Sequence, residues 1–597
     1  MLRINSPLVG TVVQVHVNVG QEVRSGAELC VIESMKMEHP VVADSDMTIT
    51  VVSAAVGQKV SEGTMLFEAT TAGPQTSQKL AQLDERRAKL DDAARPSAAA
   101  KRHERGQRTV RENVADLFDD GTFVEYGGFA VAAQRKRRTV EDLIDNTPAD
   151  GLVTGIGLVE GRRCAVLAYD YTVLAGTQGF INHRKTDRIL EVVERERLPV
   201  VLYAEGGGGR PGDVDAPGVA GLDVRSFASF ARLSGLVPLI GIASGYCFAG
   251  NAALLGCCDV IIATQNSNIG MAGPAMIEGG GLGKVAPTDI GPISTQRANG
   301  VVDVVTLDEA EATRIAKRYL ALVCAASTAS TDATVSVPQA NHALARPKLR
   351  DIVPAQRTRV YDMRDVVSAL VDDGSLLELR GDFAHGAITA LARIAGRSVG
   401  IIGNVPSHLG GAIDASAADK FARFVQLCDA FDIPIVSLCD TPGFMVGPDA
   451  ETTAQVRHFA RLFVTAASIT VPWITIVVRK GYGLGAQAMA AGSFHAATTT
   501  VAWPTGEFGG MGLEGAVRLG FRKELDAAPD DASRAALEER LIAAAYEQGA
   551  ALNMAMHIEI DDVIDPADTP ARIAATLQAC APPSPRTGKK RPMIDTW

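Results

Sequence analysis

A long internal duplication constrains this chain more than any other feature of its sequence. Residues 161–168 match residues 396–403. Nearer the start of each copy, residues 119–125 match residues 372–378, at a larger separation along the chain. The smaller separation of the later match predicts an insertion in the first copy, around residues 134–151. A chain that repeats itself in this way is expected to fold into two similar units.

Each copy alternates apolar runs of strand length with amphipathic stretches of helical spacing. Strands that are buried on both faces and joined by helical crossovers form parallel sheets. We therefore predict two α/β units in succession, over residues 106–344 and 345–597. The separation of the later match also relates Lys185 to Lys420.

Residues 1–70 contain a second, smaller repeat. Four positions of the first copy, namely Gly20, Val23, Gly26 and Leu29, recur at one constant offset within residues 57–66. Both copies are Val-rich strands interrupted by Gly, which is typical of small hairpin-forming units. Two such units that face each other bury their alternate apolar faces and leave the connection over residues 33–39 protruding. That connection holds Lys36 between two methionines, where a modifying enzyme can reach it.

The composition argues against several classes of protein. A length of 597 residues predicts three or four domain-sized units. The net charge of −11 is spread along the chain, so we expect no nucleic-acid partner. We find neither a bilayer-spanning apolar run nor a charged-then-apolar leader, so we expect no membrane. Nine scattered cysteines without CxxC spacing are typical of a reduced cytoplasm and predict no metal site.

Residues 71–105 differ in character from their neighbours, and we interpret them as a linker with a helix. Residues 71–78 read as a flexible tether that spans about 15 Å as a random coil. Residues 79–90 have apolar side chains at helical spacing, so this helix either swings as an arm or stays docked. For the basic stretch over residues 101–108, a solvated helix or loop is the simpler interpretation.

Residues 31–39, with Met-Lys-Met at their centre, resemble the biotinyl (biotin carboxyl carrier) domain family, and the resemblance covers residues 1–70. It implies a small all-β domain, a flattened β-barrel of two pseudo-symmetric halves, with biotin attached to Lys36 by a biotin protein ligase. The chain departs from the family pattern at Ser34 and at Met47. Lipoyl domains share this fold but generally lack the paired methionines. The non-functional alternative is an ordinary solvated lysine in a small β domain.

Glycines follow buried strands at matched places in the two long copies. One pair of motifs lies at residues 200–210 and 435–444, and a later pair lies at residues 245–252 and 481–488. Glycine and alanine at such turns let backbone N–H groups approach a ligand. Two N–H donors aimed at one oxygen form an oxyanion hole, which stabilises an enolate. Each motif alone is more often a packing or turn device, but two matched pairs predict a site.

These motifs resemble the carboxyltransferase subunit of acyl-CoA carboxylases, over residues 106–597 and with the helix that precedes them. The family has a duplicated crotonase-type α/β fold, a ββα superhelix. Its most specific marks lie in the second copy, at residues 440–444, 479–483, 502–507 and 561–566. The first copy differs from the family in several side chains around the glycines, but donors in such holes are backbone groups.

The resemblance implies a division of labour between the halves. Acyl-CoA binds the first half, and its thioester oxygen is held near Gly207, Gly208, Ala249 and Gly250. Carboxybiotin binds the second half, and its ureido oxygen is held near Gly443, Phe444, Leu484 and Gly485. Gln487 lies where many family members carry a residue linked to acyl-chain preference. Biotin itself accepts the α-proton, which agrees with the absence of an evident acid–base constellation in the sequence.

The resemblance also implies partners. The two halves of one chain meet those of a second chain in an antiparallel dimer, often built up to a hexamer. Carboxylation of biotin needs ATP, Mg²⁺ and a nucleotide-binding domain, for which residues 1–70 and 106–597 leave no room. We therefore predict a separate biotin carboxylase subunit. Basic residues at 135–138 and 589–591 either hold CoA phosphates or, more simply, are solvated.

We thus predict a cytoplasmic acyl-CoA carboxylase component that combines carrier and carboxyltransferase. The closest alternative is a decarboxylase or transcarboxylase that runs the same site in reverse. A third possibility is a non-catalytic carrier on a degenerate scaffold, for which Ala249 and Leu484 in place of Gly are the only support. The acyl group stays open.

Overall fold

The computed structural model of the chain describes residues 2–71, 78–216, 220–324 and 344–597. It divides into two compact units, Met1–Ala88 and Lys89–Trp597. Most of the predicted flexible tether, residues 72–77, lies outside the described residues. The predicted linker over residues 71–105 is therefore shared between the units, because everything from Lys89 onward belongs to the second.

The first unit consists of two four-stranded antiparallel sheets and one following helix, α1 (Gln78–Ala88). Its strands are β1 (Leu2–Asn5), β2 (Gly10–Val15), β3 (Glu22–Val23), β4 (Glu28–Ser34), β5 (Met37–Val42), β6 (Met47–Val52), β7 (Lys59–Val60) and β8 (Met65–Thr71). The sheet orders are β1-β8-β6-β3 and β5-β4-β2-β7. Backbone hydrogen bonds thus join the strands into two separate sheets and do not close a barrel.

The smaller repeat is visible in this unit, since β2, β3 and β4 correspond to β6, β7 and β8. The short strand of each copy pairs with the other copy, β3 with β6 and β7 with β2. Gly20 and Gly57 turn the chain with φ of 86° and 88°, a conformation that favours glycine. Leu29 and Leu66 are both fully buried in the shared core.

The second unit contains two eight-stranded sheets of the same design. The strands of the first are β9 (Val124–Tyr126), β10 (Leu152–Val159), β11 (Arg162–Tyr169), β12 (Val200–Gly206), β13 (Leu239–Phe248), β14 (Val260–Thr264), β15 (Asn268–Gly270) and β16 (Val304–Thr306). Those of the second are β17 (Leu377–Glu378), β18 (Ala387–Ile394), β19 (Arg397–Asn404), β20 (Ile435–Thr441), β21 (Trp473–Tyr482), β22 (Thr499–Ala502), β23 (Glu507–Gly509) and β24 (Asp562–Val563).

The two sheets have the same strand order, β16-β14-β13-β12-β11-β10-β9 and β24-β22-β21-β20-β19-β18-β17. In each, the strands from β11 or β19 onward run parallel, and the preceding strands are antiparallel. β15 and β23 pair with β13 and β21 off the main path. The predicted duplication of an α/β unit is therefore confirmed.

Twenty helices accompany these sheets in the described part of the second unit. Those before or within the first half are α2 (Pro96–His103), α3 (Val110–Leu117), α4 (Val140–Asn146), α5 (Phe180–Glu196), α6 (Ser226–Arg232), α7 (Gly250–Gly256), α8 (Pro274–Gly279), α9 (Ile293–Ala298) and α10 (Glu309–Val323). Those of the second half are α11 (Leu349–Ile352), α12 (Met363–Leu370), α13 (Ala415–Ala430), α14 (Pro448–Glu451), α15 (Gln455–Ala467), α16 (Gly483–Met489), α17 (Leu513–Gly520), α18 (Arg522–Asp526), α19 (Asp531–Gln548), α20 (Ala551–Met556) and α21 (Thr569–Ala579).

The predicted insertion lies between β9 and β10, where the first half carries α4. The corresponding connection between β17 and β18 is short. The two halves share one apolar core, to which α10 contributes Tyr319 and α13 contributes Phe421. A buried ion pair, Arg380 with Asp303 at 3.2 Å, also joins the halves.

The C-terminal tail also joins the two halves. Lys590 and Arg591 lie 3.0 and 2.9 Å from the carboxylate of Asp429. Ile594 is buried, and its N–H donates to Ser234 Oγ of the first half at 3.0 Å. The expectation of a solvated tail at residues 589–591 is therefore wrong for these two cations, because Asp429 neutralises them.

Two buried lysines occupy equivalent places in the two halves. Lys185 Nζ donates to the carbonyl oxygens of Ala149 and Leu152. Lys420 Nζ donates to the carbonyls of Arg380, Phe383 and Ala387 at 2.7–2.8 Å. Each ammonium group thus fixes the chain between the first two strands of its sheet. Burial disfavours the charged form and lowers the pKa of Lys185 to about 8 and of Lys420 to about 7.

We expect Lys420→Met to flatten the pH dependence of stability at alkaline pH. The folded protein releases the Lys420 proton at a pKa of about 7, whereas the ordinary value is 10.5. Between these values the unfolded state binds more protons, so stability from this group rises with pH, by up to about 1.4 kcal/mol per unit. Urea unfolding at pH 7 and pH 9.5 measures the effect. The exposed Lys348→Met should keep the wild-type slope, and an unchanged slope in Lys420→Met would contradict the prediction.

Candidate active site

Lys36 lies in the two-residue turn that joins β4 to β5. Ser34 pairs with Met37 across this hairpin, and Met35 and Lys36 have φ of 51° and 70°. Positive φ at both central positions is the signature of a type I′ turn, whose twist matches that of the flanking strands. The Met35 side chain is 96% exposed, and Lys36 is exposed beside it. The amine is therefore open to a modifying enzyme and can carry a covalent group away from the sheet.

In the first half, the chain after β12 meets the start of α7. A Cβ placed on Gly208 would lie 2.8 Å from Ala249 Cβ and 3.6 Å from the Gly250 nitrogen. The Ala249 N–H donates to Gly270 O at 3.0 Å, and the Gly207 N–H to Ala175 O at 3.4 Å. Within the described ranges, the N–H groups of Gly208 and Gly250 have no hydrogen-bond acceptor. The structure thus brings the four predicted residues together but leaves two of their amides free.

Ala249 shapes this turn with its backbone. It has φ of 50° and ψ of −120°, a conformation that glycine adopts far more readily than a residue with a side chain. Such a conformation costs a residue with a side chain about 1–3 kcal/mol and persists only where the surroundings impose it. The Ala249 methyl group faces Gly208, which has no side chain to obstruct it.

Asn251 joins the two first-half loops, a role that the sequence did not reveal. Its fully buried amide donates from Nδ2 to the carbonyls of Gly176 and Glu205, both at 3.0 Å. Gln178 Nε2 donates to Asn251 Oδ1 at 2.7 Å. Because Asn251 follows Gly250 directly, it fixes the free amide of Gly250 relative to the end of β12. In the sequence, only the position of this asparagine within a glycine-rich motif could have indicated such a role.

In the second half, the chain after β20 meets the start of α16 in the same way. A Cβ placed on Gly485 would lie 2.7 Å from Gly443 Cα, so the two glycines are in backbone contact. The Gly443 N–H donates to Thr441 Oγ1 at 3.1 Å. In the part of the chain that is described, no acceptor binds the N–H groups of Phe444, Leu484 or Gly485. Three of the four predicted residues here present free donors.

The Asp440 side chain beneath this second-half loop is buried and accepts three hydrogen bonds. Asp440 accepts from Tyr361 Oη at 2.7 Å, from Arg479 Nε at 3.2 Å and from the Lys480 N–H at 3.1 Å. Burial, together with the Asp440 carboxylate, holds the pKa of Tyr361 well above its usual range. The Phe444 ring stacks on Phe459 with centroids 3.9 Å apart. The end of β20 is therefore held in one position.

Gln487 lies on α16, one turn after Leu484, and its side chain is exposed.

In the basic cluster at residues 135–138, Arg138 pairs with Asp142. Lys136 Nζ donates to Val214 O at 3.1 Å.

Among the described residues, no group of three His, Cys, Asp or Glu side chains is arranged to hold a metal ion. Of the helices described, none is both long and apolar enough to cross a bilayer.

An exposed lysine on a small β unit, followed by a duplicated α/β unit with two paired glycine loops, is the arrangement that the two resemblances predict. The chain belongs to the carboxyl transferase domain family, whose model matches residues 101–594. Residues 3–68 match the biotin-requiring enzyme family. These matches confirm the two predicted resemblances and the prediction that the chain is an enzyme of biotin-dependent carboxyl transfer.

Individual relatives agree with this assignment. The chain is 36% identical to the methylmalonyl-CoA carboxyltransferase 12S subunit of Propionibacterium freudenreichii subsp. shermanii, over 84% of this chain and 94% of that protein. A solved single-chain, multi-domain long-chain acyl-CoA carboxylase has 52% identity and a TM-score of 0.76. This chain is covered over 96% of its length but spans only 56% of that larger chain. The transcarboxylase 12S crystal structure has 32% identity and a TM-score of 0.74, with 87% of this chain and 99% of that chain covered.

Proposed function

We propose that this chain moves a carboxyl group between biotin on Lys36 and the α-carbon of an acyl-CoA thioester. The observation that carries the proposal is the presence of free backbone N–H groups at matched glycine loops in the two halves. The reaction develops negative charge on two different oxygens, one on the acyl group and one on the cofactor. A duplicated fold offers one hole for each of them.

The residues take different roles in this proposal. The N–H groups of Gly208 and Gly250 donate to the thioester oxygen, and Gly207 and Ala249 shape the turn around them. In the second half, the N–H groups of Phe444, Leu484 and Gly485 face the ureido oxygen, while Gly443 lets Gly485 approach. Preorganised donors of this kind are worth about 2.7–4 kcal/mol each to a transition state.

The exposed type I′ turn fits the attachment of biotin, because the Lys36 side chain projects from the tip of the hairpin where a ligase can reach it. When attached, biotin would supply the carboxyl group and would itself take up the α-proton. The protein has only to hold the two oxygens and to exclude water, so no side-chain base is assigned. A biotin protein ligase is the required modifying partner.

We further propose that ATP and Mg²⁺ act through a separate biotin carboxylase. The carrier and transferase matches together occupy residues 3–68 and 101–594. The larger single-chain carboxylase, of which this chain spans 56%, shows that the parts of such an enzyme can be combined in one chain. The nine cysteines, none of which forms a disulfide, support a reducing compartment such as the cytoplasm.

A homo-oligomer is proposed from exposed apolar side chains in both halves. In the second half, Leu484 is 62% exposed, Val446 79% and Val464 71%. In the first half, Met271 is 72% exposed and Leu282 81%. Contiguous exposed apolar patches mark surfaces that meet another protein, and we propose that these side chains belong to such patches. The similar transcarboxylase 12S core assembles as a hexamer, and we propose a dimer-built hexamer for this chain.

A second candidate is transcarboxylation or decarboxylation by the same site. The identity of 36% to a methylmalonyl-CoA carboxyltransferase subunit favours it as much as the carboxylase structure favours carboxylation. The free N–H groups stabilise the same transition states in both directions, so the site itself accepts either.

An assay with and without added biotin carboxylase distinguishes these functions. The biotinylated chain, given ATP, Mg²⁺, bicarbonate and a panel of acyl-CoA thioesters, should be inactive until the carboxylase is added. ATP-dependent carboxylation by the pure chain would refute the proposed division of labour.

The same panel of acyl-CoA thioesters, assayed with Gln487→Asp, tests the specificity role of Gln487. We expect the ratio of the rates for short and long acyl groups to differ from that of the wild type.

A further inference from the structure

An arginine from outside the duplicated fold is buried beneath the first-half site. Arg102 lies on α2, and only 6% of its surface is exposed. Its Nη1 donates to Glu205 Oε1 at 2.6 Å, and its Nη2 lies 3.6 Å from Glu309 Oε1. Its Nε donates to Arg108 O at 2.9 Å. The expectation of a solvated basic stretch over residues 101–108 is therefore wrong for Arg102.

Glu205 connects this arginine to the free amides. It is the last residue but one of β12, and Gly208 follows shortly after the strand ends. Its carbonyl oxygen accepts the Asn251 amide at 3.0 Å, and Asn251 follows Gly250. Arg102 is therefore linked to both donors of the first-half hole through Glu205. Arg102 pairs with the Glu205 side chain, and the Glu205 carbonyl oxygen accepts a hydrogen bond from Asn251.

The second half has no such external arginine in its described part. Asp440 is the second-half equivalent of Glu205, because the same alignment that matches residues 161–168 to 396–403 also matches these two residues. The guanidinium that pairs with Asp440 belongs to Arg479, on the neighbouring strand β21. The first-half equivalent of Arg479 is Ser244, which donates to Glu309 at 2.7 Å. The first half thus lacks the internal guanidinium, and the segment that follows the tether supplies one in its place.

Without Arg102 the Glu205 carboxylate would lose the guanidinium that pairs with it. Glu205 and Glu309 are both buried, and burial raises the pKa of Glu205 to about 7 even with Arg102 in contact. Glu205 would have to take up a proton or turn toward solvent, and a turned side chain would pull on the end of β12. A cavity of about 20 Å³ beside Arg102, Glu205 and Ser244 gives the side chains room to rearrange.

We propose that Arg102 is a positioning residue for the first-half site, supplied by α2, the helix that precedes the first of the two duplicated halves. This inference rests on the proposed role of the Gly208 and Gly250 amides. Arg102 touches no substrate; it fixes Glu205, and through Glu205 and Asn251 it fixes the spacing of the two donors.

Three variants test the proposal in carboxyl transfer between a carboxylated acyl-CoA and free biotin. In Arg102→Ala, kcat should fall on the order of ten- to hundredfold while KM for the acyl-CoA changes little, because misplaced donors affect mainly the transition state. The double variant Arg102→Ala with Ser244→Arg restores the guanidinium in the manner of Arg479 and should recover most of kcat. Lys101→Ala, on the exposed face of the same helix, should behave as wild type.

A wild-type kcat in Arg102→Ala, or a loss that Ser244→Arg does not recover in a folded double variant, would overturn the positioning role. If Arg102→Ala does not fold, kcat of the double variant and of Arg102→Lys is compared with that of the wild type instead. Gly208→Pro separates this inference from the function beneath it. If Gly208→Pro is inactive while Arg102→Ala is normal, only the positioning role fails; if Gly208→Pro is also normal, the first-half hole is wrong.

Discussion

A Lys36→Arg protein is expected to carry no biotin and to accept no carboxyl group, however well it folds. Arginine keeps the positive charge and the length of the side chain at this exposed turn. Its guanidinium stays protonated and is not the amine that a ligase acylates. Mass spectrometry of protein produced together with an active ligase should place the biotin mass on the wild-type Lys36 peptide and nowhere in the variant.

The matched control for this variant is Lys59→Arg, since Lys59 is the exposed lysine of β7 in the same small unit. It should be biotinylated normally. Lys36→Arg should also keep its full rate of transfer from carboxylated acyl-CoA to free biotin, because the transferase residues are untouched. Biotin found on Lys59, or on another lysine of the Lys36→Arg protein, would contradict the assignment.

The second large effect is expected in Leu484→Pro, which should lower turnover about 10²–10³-fold, the usual loss for one oxyanion donor. Leu484 is the second residue of α16, and its N–H has no acceptor among the described residues. Proline removes that N–H and is tolerated in the first turn of a helix. The Leu484 side chain is 62% exposed, so its replacement disturbs little packing. Transfer to free biotin measures the effect.

Leu484→Ala is the control, because it removes the side chain and keeps the donor; we expect its rate to stay within a few-fold of wild type. Proline at Gly485 is a poorer test, since its Cβ would lie 2.7 Å from Gly443 Cα and would displace the loop as well. Tm of Leu484→Pro should match that of Leu484→Ala. Near-normal turnover in the folded proline variant would show that this amide does not act.

Much of the fold could be predicted because duplication leaves marks that survive divergence. The small repeat in the first unit matched Val23 of β3 and Leu29 of β4 to their counterparts in β7 and β8. The match of residues 161–168 to 396–403, continued along the chain, likewise related β11 to β19 and β12 to β20. Changes in separation also located the insertion that carries α4, because extra residues shift all later matches.

The paired loops of the site were found for a related reason. Glycine is required where two backbones touch, as at Gly443 and Gly485, so the pattern persists in the sequence. The choice of donors could not be predicted. The Ala249 amide binds Gly270 and the Gly207 amide binds Ala175, and such partners lie far along the chain or in another loop.

Long-range pairing also explains the two wrong expectations for basic residues. Lysines and arginines are usually solvated, and local sequence does not reveal a buried carboxylate opposite. Arg102 meets Glu205, and Arg591 meets Asp429, each from a distant part of the chain. Only the fold brings such charges together.

Transfer of a radiolabelled carboxyl group from a carboxylated acyl-CoA to the chain's own biotin, without ATP, tests the proposed function most directly. Methylmalonyl-CoA and a longer 2-carboxyacyl-CoA serve as donors, and the label is followed to the Lys36 peptide. We expect label on Lys36 in the biotinylated wild type, and none in Lys36→Arg. Fully biotinylated, folded protein that takes up no label from either donor would contradict the assignment of carrier and transferase to one chain.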